Sequence, residues 1–204
     1  MSRNEKKKST PEKKIVICIS GMAGTGKSTL AKKLARKYKL RYYSGGDALK
    51  ELAKDEGYNT SSRGWWESAE GISFLEKREK NLNFDKTVDD KLLEYAQKEN
   101  VLLDSWAMPW LLKTGFKIWL VASEEKRAER IGKRDKIAVK EALRMLKEKE
   151  ERTKAIYKRL YGFKLGEDFE PFNLILDTDN LGAEEVFQVL CIVMDNVVLE
   201  SENL

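Results

Sequence analysis

Gly21-Met-Ala-Gly-Thr-Gly-Lys-Ser-Thr29 is the stretch that decides the fold of this 204-residue chain. It has the form G-x-x-x-x-G-K-S. Gly21, Gly24 and Gly26 permit backbone turns that a β-carbon obstructs, so that successive N–H groups along Met22, Ala23, Thr25 and onward to Thr29 converge on phosphate oxygens. Lys27 then supplies a compact cation at the β- and γ-phosphates of a nucleotide, and the Ser28 hydroxyl a ligand for Mg²⁺. The flanks agree with this reading. Lys14 to Ile19 is a β-branched apolar run of strand length. Leu30, Ala31, Leu34, Ala35 and Tyr38 recur at helical spacing, with Lys32, Lys33, Arg36 and Lys37 on the opposite face. A strand, a glycine loop and a helix N-terminus in that order form an anion site.

A chain 41% hydrophobic and 36% charged, without an apolar run of membrane-spanning length, reads as one globular α/β domain over residues 14–204. The polar start, MSRNEKKKSTPEKK, has no signal-peptide core behind it, so a cytoplasmic location is expected. Residues 1–13 read as a disordered basic tail, either solvated or touching nucleic acid. The net charge of +5 is spread over interleaved Lys, Arg, Asp and Glu, and polyanionic nucleotides account for it without a nucleic-acid surface. Cys18 and Cys191 sit in apolar runs and read as small core residues. The chain has no histidine, which excludes imidazole catalysis and His-ligated zinc.

Beyond the glycine loop, residues 40–44 read as a short strand, and Gly45-Gly46-Asp47 opens a helix. Small residues before an acidic helix start suit a second phosphate-bearing ligand; a tight turn with an Asp cap gives the same pattern. From 57 to 84 the chain is irregular, and Tyr58, Trp65, Trp66, Phe74 and Phe84 either stack on a base or form the small core of an inserted helical subdomain. Asp85, Val88, Asp89, Leu92, Leu93 and Ala96 define an amphipathic helix. Val101-Leu-Leu-Asp104 is a strand ending in a carboxylate, which either holds a Mg²⁺-bound water or caps the next turn. Residues 116–121 and 173–177 read as further strands. Ser123-Glu-Glu starts a helix whose Arg127, Arg130 and Arg134 share one face, suited to a developing phosphoryl charge or simply to solvent. Residues 140–161 read as a long charged helix and 183–198 as an apolar one, whose breadth permits a dimer contact, so the expected state is a monomer or weak homodimer.

Taken together, ISGMAGTGKST, YYSGGDALKELA, FKIWLVASEEKRAERI, EALRMLKEKEER, YKRLYGF and NLILDT resemble, in that order, the nucleoside monophosphate kinases and, within them, the archaeal-type cytidylate kinases. The similarity runs from about Ile15 to Val198. It implies a P-loop NTPase three-layer fold with a five-stranded parallel sheet, a helical monophosphate-binding insertion over about 48–89 and a helical lid over about 130–161. The implied reaction moves the γ-phosphoryl of ATP to CMP or dCMP with Mg²⁺. By position, residues 21–29 bind ATP, Ser28 and Asp104 hold the metal, and Ser44, Gly46, Asp47, Lys50 and Asp89 line the monophosphate site. The catalytic residues it implies are Lys27, on the ATP phosphates, and Arg130, Arg134 and Arg152, which close over the transferring phosphoryl.

This chain departs from the family pattern at named positions. Lys50 stands where an arginine is usual, Ser105-Trp106 where the family resembles Gly-Arg, and Lys149 and Ile156 where related lids carry arginines. A kinase for another small acceptor, or a weakly active nucleotide-binding interaction protein, is the alternative those departures leave open.

Overall fold

The computed structural model describes residues 14–62 and 64–202, with side chains through 196; the expected basic tail at 1–13 lies outside the described residues. Five parallel strands form one sheet: β1 (Val16–Gly21), β2 (Arg41–Ser44), β3 (Val101–Asp104), β4 (Phe116–Val121) and β5 (Leu174–Asp177), in the order β2-β3-β1-β4-β5. The sheet read from the sequence is thus present, with the third and fourth strands at the expected bounds and the others shifted by one or two residues.

Helices are α1 (Lys27–Lys37), α2 (Gly45–Asp55), α3 (Ala69–Lys80), α4 (Asn83–Lys98), the single-turn α5 (Met108–Leu111), α6 (Glu124–Asp135), α7 (Val139–Tyr161) and α8 (Ala183–Glu202); a 3₁₀ turn covers Trp65–Glu67. The segment read as irregular therefore contains α3, capped by the Ser68 hydroxyl, which accepts from the Gly71 N–H at 3.2 Å.

Strand alternation explains the layers. Along β1, every residue is buried, and successive side chains point to opposite faces. Ile17 and Ile19 enter one core with Leu30, Ala31 and Leu34 of α1 and Val186, Leu190 and Met194 of α8. Val16 and Cys18 enter the other, with Leu49 of α2, Phe74 of α3 and Val88 and Leu92 of α4. Each of these large apolar side chains contributes about 1.5–3 kcal/mol on leaving water. Most aromatics of the insertion serve this second core: Trp65 and Phe74 are fully buried, and Phe74 meets Tyr58 and Phe84 edge-on. The charged hairpin of α6 and α7 closes on its own small cluster, Ala128, Ile131, Ala142 and Leu146.

Because all strands are parallel, their carboxyl ends share one edge. Ile19 and Ser44 pair with Asp104, and Val121 with Asp177. The chain leaves β1 for β2 and β3 on one flank and later returns to β4 and β5 on the other. That reversal leaves a crevice at the carboxyl end of β1, where the glycine loop begins. Among the described residues no helix is long and apolar enough to cross a membrane.

Candidate active site

At this edge lies a cavity of about 590 Å³, lined by the loop from Ala23 to Thr29 and by both flanks. The loop has the backbone that phosphate binding requires. Gly24 and Gly26 have φ of 84° and 89°, and a β-carbon on Gly24 would meet the Arg127 carbonyl oxygen at 2.8 Å. Thr25 folds the loop back, its N–H and hydroxyl both donating to the Met22 carbonyl. Gly26 caps α1 without a side-chain hydrogen bond, and the first turn carries no acidic residue. The free N–H groups and positive dipole end of α1 therefore face the cavity.

Lys27 is half-buried; burial pushes its ammonium below the ordinary value, opposed by the Asp104 carboxylate. Its Nζ lies 5.4 Å from the centroid of Trp106, whose indole N–H donates to the Gly21 carbonyl at 2.6 Å. Trp106 thus braces the loop and roofs its lysine. Asp104 is buried and accepts from the Tyr42 hydroxyl at 3.1 Å. The following turn is capped by Ser105 Oγ, which accepts from the N–H groups of Ala107 and Met108, so Asp104 remains turned to the cavity. Ser28 and Asp104 offer two oxygen donors, a set suited to Mg²⁺, which takes its other ligands from phosphate and water.

On the β4–β5 flank, Arg130 of α6 donates to the Thr178 hydroxyl and carbonyl at 3.1 and 2.6 Å. Leu181, Gly182, Ala183 and Val186 complete that end. On the β2–β3 flank, Ser44 caps α2, its hydroxyl accepting from the Asp47 N–H at 3.0 Å, and Asp47 reaches Lys32 at 3.6 Å. The cap is thus the serine rather than the aspartate. Trp66, Arg78, Asp85, Val88, Asp89 and Tyr157 line the far end. Arg78 and Asp85 form a buried two-point pair at 3.0 and 2.6 Å. Asp89 is 3% exposed and accepts from the Tyr161 hydroxyl at 2.9 Å; burial pushes its carboxyl up to about 7.

Glu67 ties the flanks to the helical hairpin. Its carboxylate accepts from Arg134 at 3.0 Å and from Lys149 at 2.9 Å, so both cations project into the cavity. The three aligned arginines of α6 have separate tasks. Arg127 is buried, bonded to Glu150, to the Ala122 carbonyl and to the Ala23 carbonyl of the loop; it is a strut, whereas Arg130 and Arg134 line the cavity.

Of the residues singled out in the sequence, the cavity gathers Ala23 to Thr29, Ser44, Gly46, Asp47, Asp89, Asp104, Arg130 and Arg134. Four stand outside its lining. Gly21 and Met22 form the loop's root, Lys50 lies 5.9 Å over the Trp65 ring, and Arg152 pairs with Glu79 at 2.6 Å and Glu76 at 3.6 Å on α3. Sequence reasoning missed Glu67, Arg78, Asp85, Tyr157 and Thr178. Arg78 and Asp85 lie on two different helices and are joined only by the α3–α4 corner, Tyr157 and Thr178 stand in the YKRLYGF and NLILDT blocks without a spacing that marks them as site residues, and Glu67 lies in no motif.

The sequence profile of the cytidylate kinase-like family matches residues 16–180. The chain belongs to that family. Among curated relatives, the cytidylate kinase of Pyrococcus horikoshii is 32% identical, covering 92% of this chain and 92% of its own. That of Methanocaldococcus jannaschii is 34% identical, covering 90% and 99%. Among solved structures, a shikimate kinase from Acinetobacter baumannii in complex with shikimate superposes with a TM-score of 0.54 at 19% identity, over 91% of this chain and 96% of that one. This last likeness concerns the fold, a P-loop kinase architecture.

Proposed function

We propose that this member of the cytidylate kinase-like family transfers the γ-phosphoryl of ATP to a nucleoside monophosphate, with CMP and dCMP as acceptors, in the cytoplasm. The observation that carries the reading is the single cavity spanning both flanks of β1 with the phosphate loop at its middle. Such a shape suits two nucleotides meeting phosphate to phosphate. The donor lies on residues 23–29 with its base toward Thr178 to Val186, and the acceptor lies between Ser44 to Asp47 and the Trp66–Asp89 end.

In this reading Lys27, Arg130, Arg134 and Lys149 surround the transferring group with positive charge. The Trp106 ring over Lys27 shields it in part from water, which strengthens the pull of that charge on phosphate. Mg²⁺, held through Ser28 and Asp104, would neutralise and orient the donor phosphates. Positioning and electrostatic stabilisation suffice for phosphoryl transfer, and a chain without histidine loses nothing by it. Residues about 130–161, the end of α6 together with α7, act as the lid and about 48–89 as the acceptor-binding insertion. Arg152 then works from the rear, holding the lid to α3 through Glu79. Lys149, where related lids carry arginine, keeps a cation in the cavity.

ADP release coupled to a reporter, measured with CMP, dCMP, UMP, AMP and GMP, tests the assignment. Turnover is expected with CMP and dCMP above the others. Absence of acceptor-dependent turnover with all of them would refute the kinase reading, and preference for another base would refute the acceptor.

A further inference from the structure

Resting on that kinase reading, we propose that Asp89 is the group by which the acceptor site tells cytosine from uracil, its carboxylate accepting from the exocyclic amine that uracil lacks. Topology places the acceptor base. The phosphate loop fixes the phosphates at the carboxyl end of β1, and the acceptor flank runs outward past Ser44 and Gly46 to Trp66, Val88, Asp85 and Asp89. This far end combines apolar walls and one half-exposed indole face with buried polar groups. A nucleobase is recognised by that combination.

Of the two acids there, Asp85 is spent. Each of its oxygens already accepts from Arg78, through Nε and Nη2. Asp89 is differently placed: it lines the cavity, the Tyr161 hydroxyl donates to its Oδ2, and among the described residues no hydrogen bond is made to its Oδ1. An ionised carboxylate can only accept. Cytosine presents an N–H₂ at ring position 4 and satisfies it. Uracil presents a carbonyl there, setting two acceptors face to face in a buried site, a mismatch that hydrogen-bonding sites reject strongly.

The discrimination must titrate. Once protonated, the carboxyl donates to the uracil carbonyl and the distinction fades. The groups facing Asp89 are Arg78 from α3, Asp85 and Asp90 from α4, Tyr157 and Tyr161 from α7 and the Cys18 thiol from β1. Burial outweighs the Arg78 cation and the Tyr161 hydrogen bond, which brings the carboxyl to about 7, inside the accessible range.

The experiment measures kcat/KM for CMP and for UMP across about pH 6 to 8, a window centred on the Asp89 value. Both nucleotides share the same phosphate ionisation, so it cancels in the ratio. In the wild-type protein the CMP/UMP ratio is expected to rise about tenfold or more as pH increases through this window. Asp89→Asn offers an amide that turns either its carbonyl to the cytosine amine or its N–H₂ to the uracil carbonyl. Its ratio is expected to fall about tenfold or more at the upper pH and to lose its pH dependence. A wild-type ratio flat with pH, or an Asp89→Asn ratio equal to the wild-type one, overturns the role of Asp89 while leaving the kinase reading intact. The wild-type arm stands even if the variant does not fold. Failure of the wild-type protein to phosphorylate any nucleoside monophosphate is a separate result, which overturns the kinase reading and this inference with it.

Discussion

Lys27 and Asp89 show how the same burial acts on opposite charges. Leaving water disfavours the ammonium of one and the carboxylate of the other, so the lysine moves down and the acid up. Lys27→Ala is expected to lower kcat/KM by about a hundredfold or more with a change in melting temperature of only a few degrees, because its partners are an indole face and, in our reading, ligand phosphates. Parent-rate turnover of the purified variant would contradict its role. For Asp89 the folded state binds the proton more tightly than the unfolded chain does, since about 7 exceeds the ordinary aspartate value of 3.8. Its contribution to stability therefore grows as pH falls from about 7 toward 4 and is lost as pH rises through 7. Asp89→Asn should accordingly raise the melting temperature at pH about 8 more than at pH about 5, as calorimetry would show. At this scale the glycine loop was legible because its spacing is local. Arg78 and Asp85 were not, since their pairing depends on the corner between two helices. Asp85→Ala leaves a buried guanidinium without its partner and is expected to cost about 3–5 kcal/mol in urea unfolding.

Among the elements, β3 and β4 were legible to the residue, since a short apolar run between Asn100 and Asp104, and one broken only by Lys117 after Gly115, admit few other readings. Helix α3 was not. Its buried face includes Arg78 beside Phe74 and Leu75, so a charge interrupts the apolar stripe, and Gly71 sits inside it for a tertiary reason. A β-carbon there would fall 2.1 Å from the Trp65 carbonyl oxygen, so the glycine permits the 3₁₀ turn to lie against the helix. That turn carries Glu67, which joins the insertion to Arg134 of α6 and Lys149 of α7. In the absence of nucleotide Glu67→Gln should loosen the hairpin. Amide hydrogen exchange across 139–161 is expected to quicken about fivefold, the equivalent of about 1 kcal/mol for a partly exposed ion pair. Unchanged exchange there would show that Arg152 and Arg159, which hold Glu79 and its carbonyl, suffice alone.

For the whole molecule, the order β2-β3-β1-β4-β5 separates donor and acceptor ends by putting them on opposite flanks of the strand that carries the loop. An adenosine and a cytidine joined through a polyphosphate chain should then occupy both ends at once. Such a compound is expected to raise the melting temperature more than ATP and CMP supplied together, because the second contact becomes intramolecular. No larger shift than that of ATP alone would place the acceptor elsewhere. The most direct test of the central claim follows the phosphoryl group itself. With ATP radiolabelled at the γ-position, Mg²⁺ and CMP, a single turnover analysed by chromatography should deliver the label to CDP. Label recovered only in inorganic phosphate or unreacted ATP would contradict the assignment.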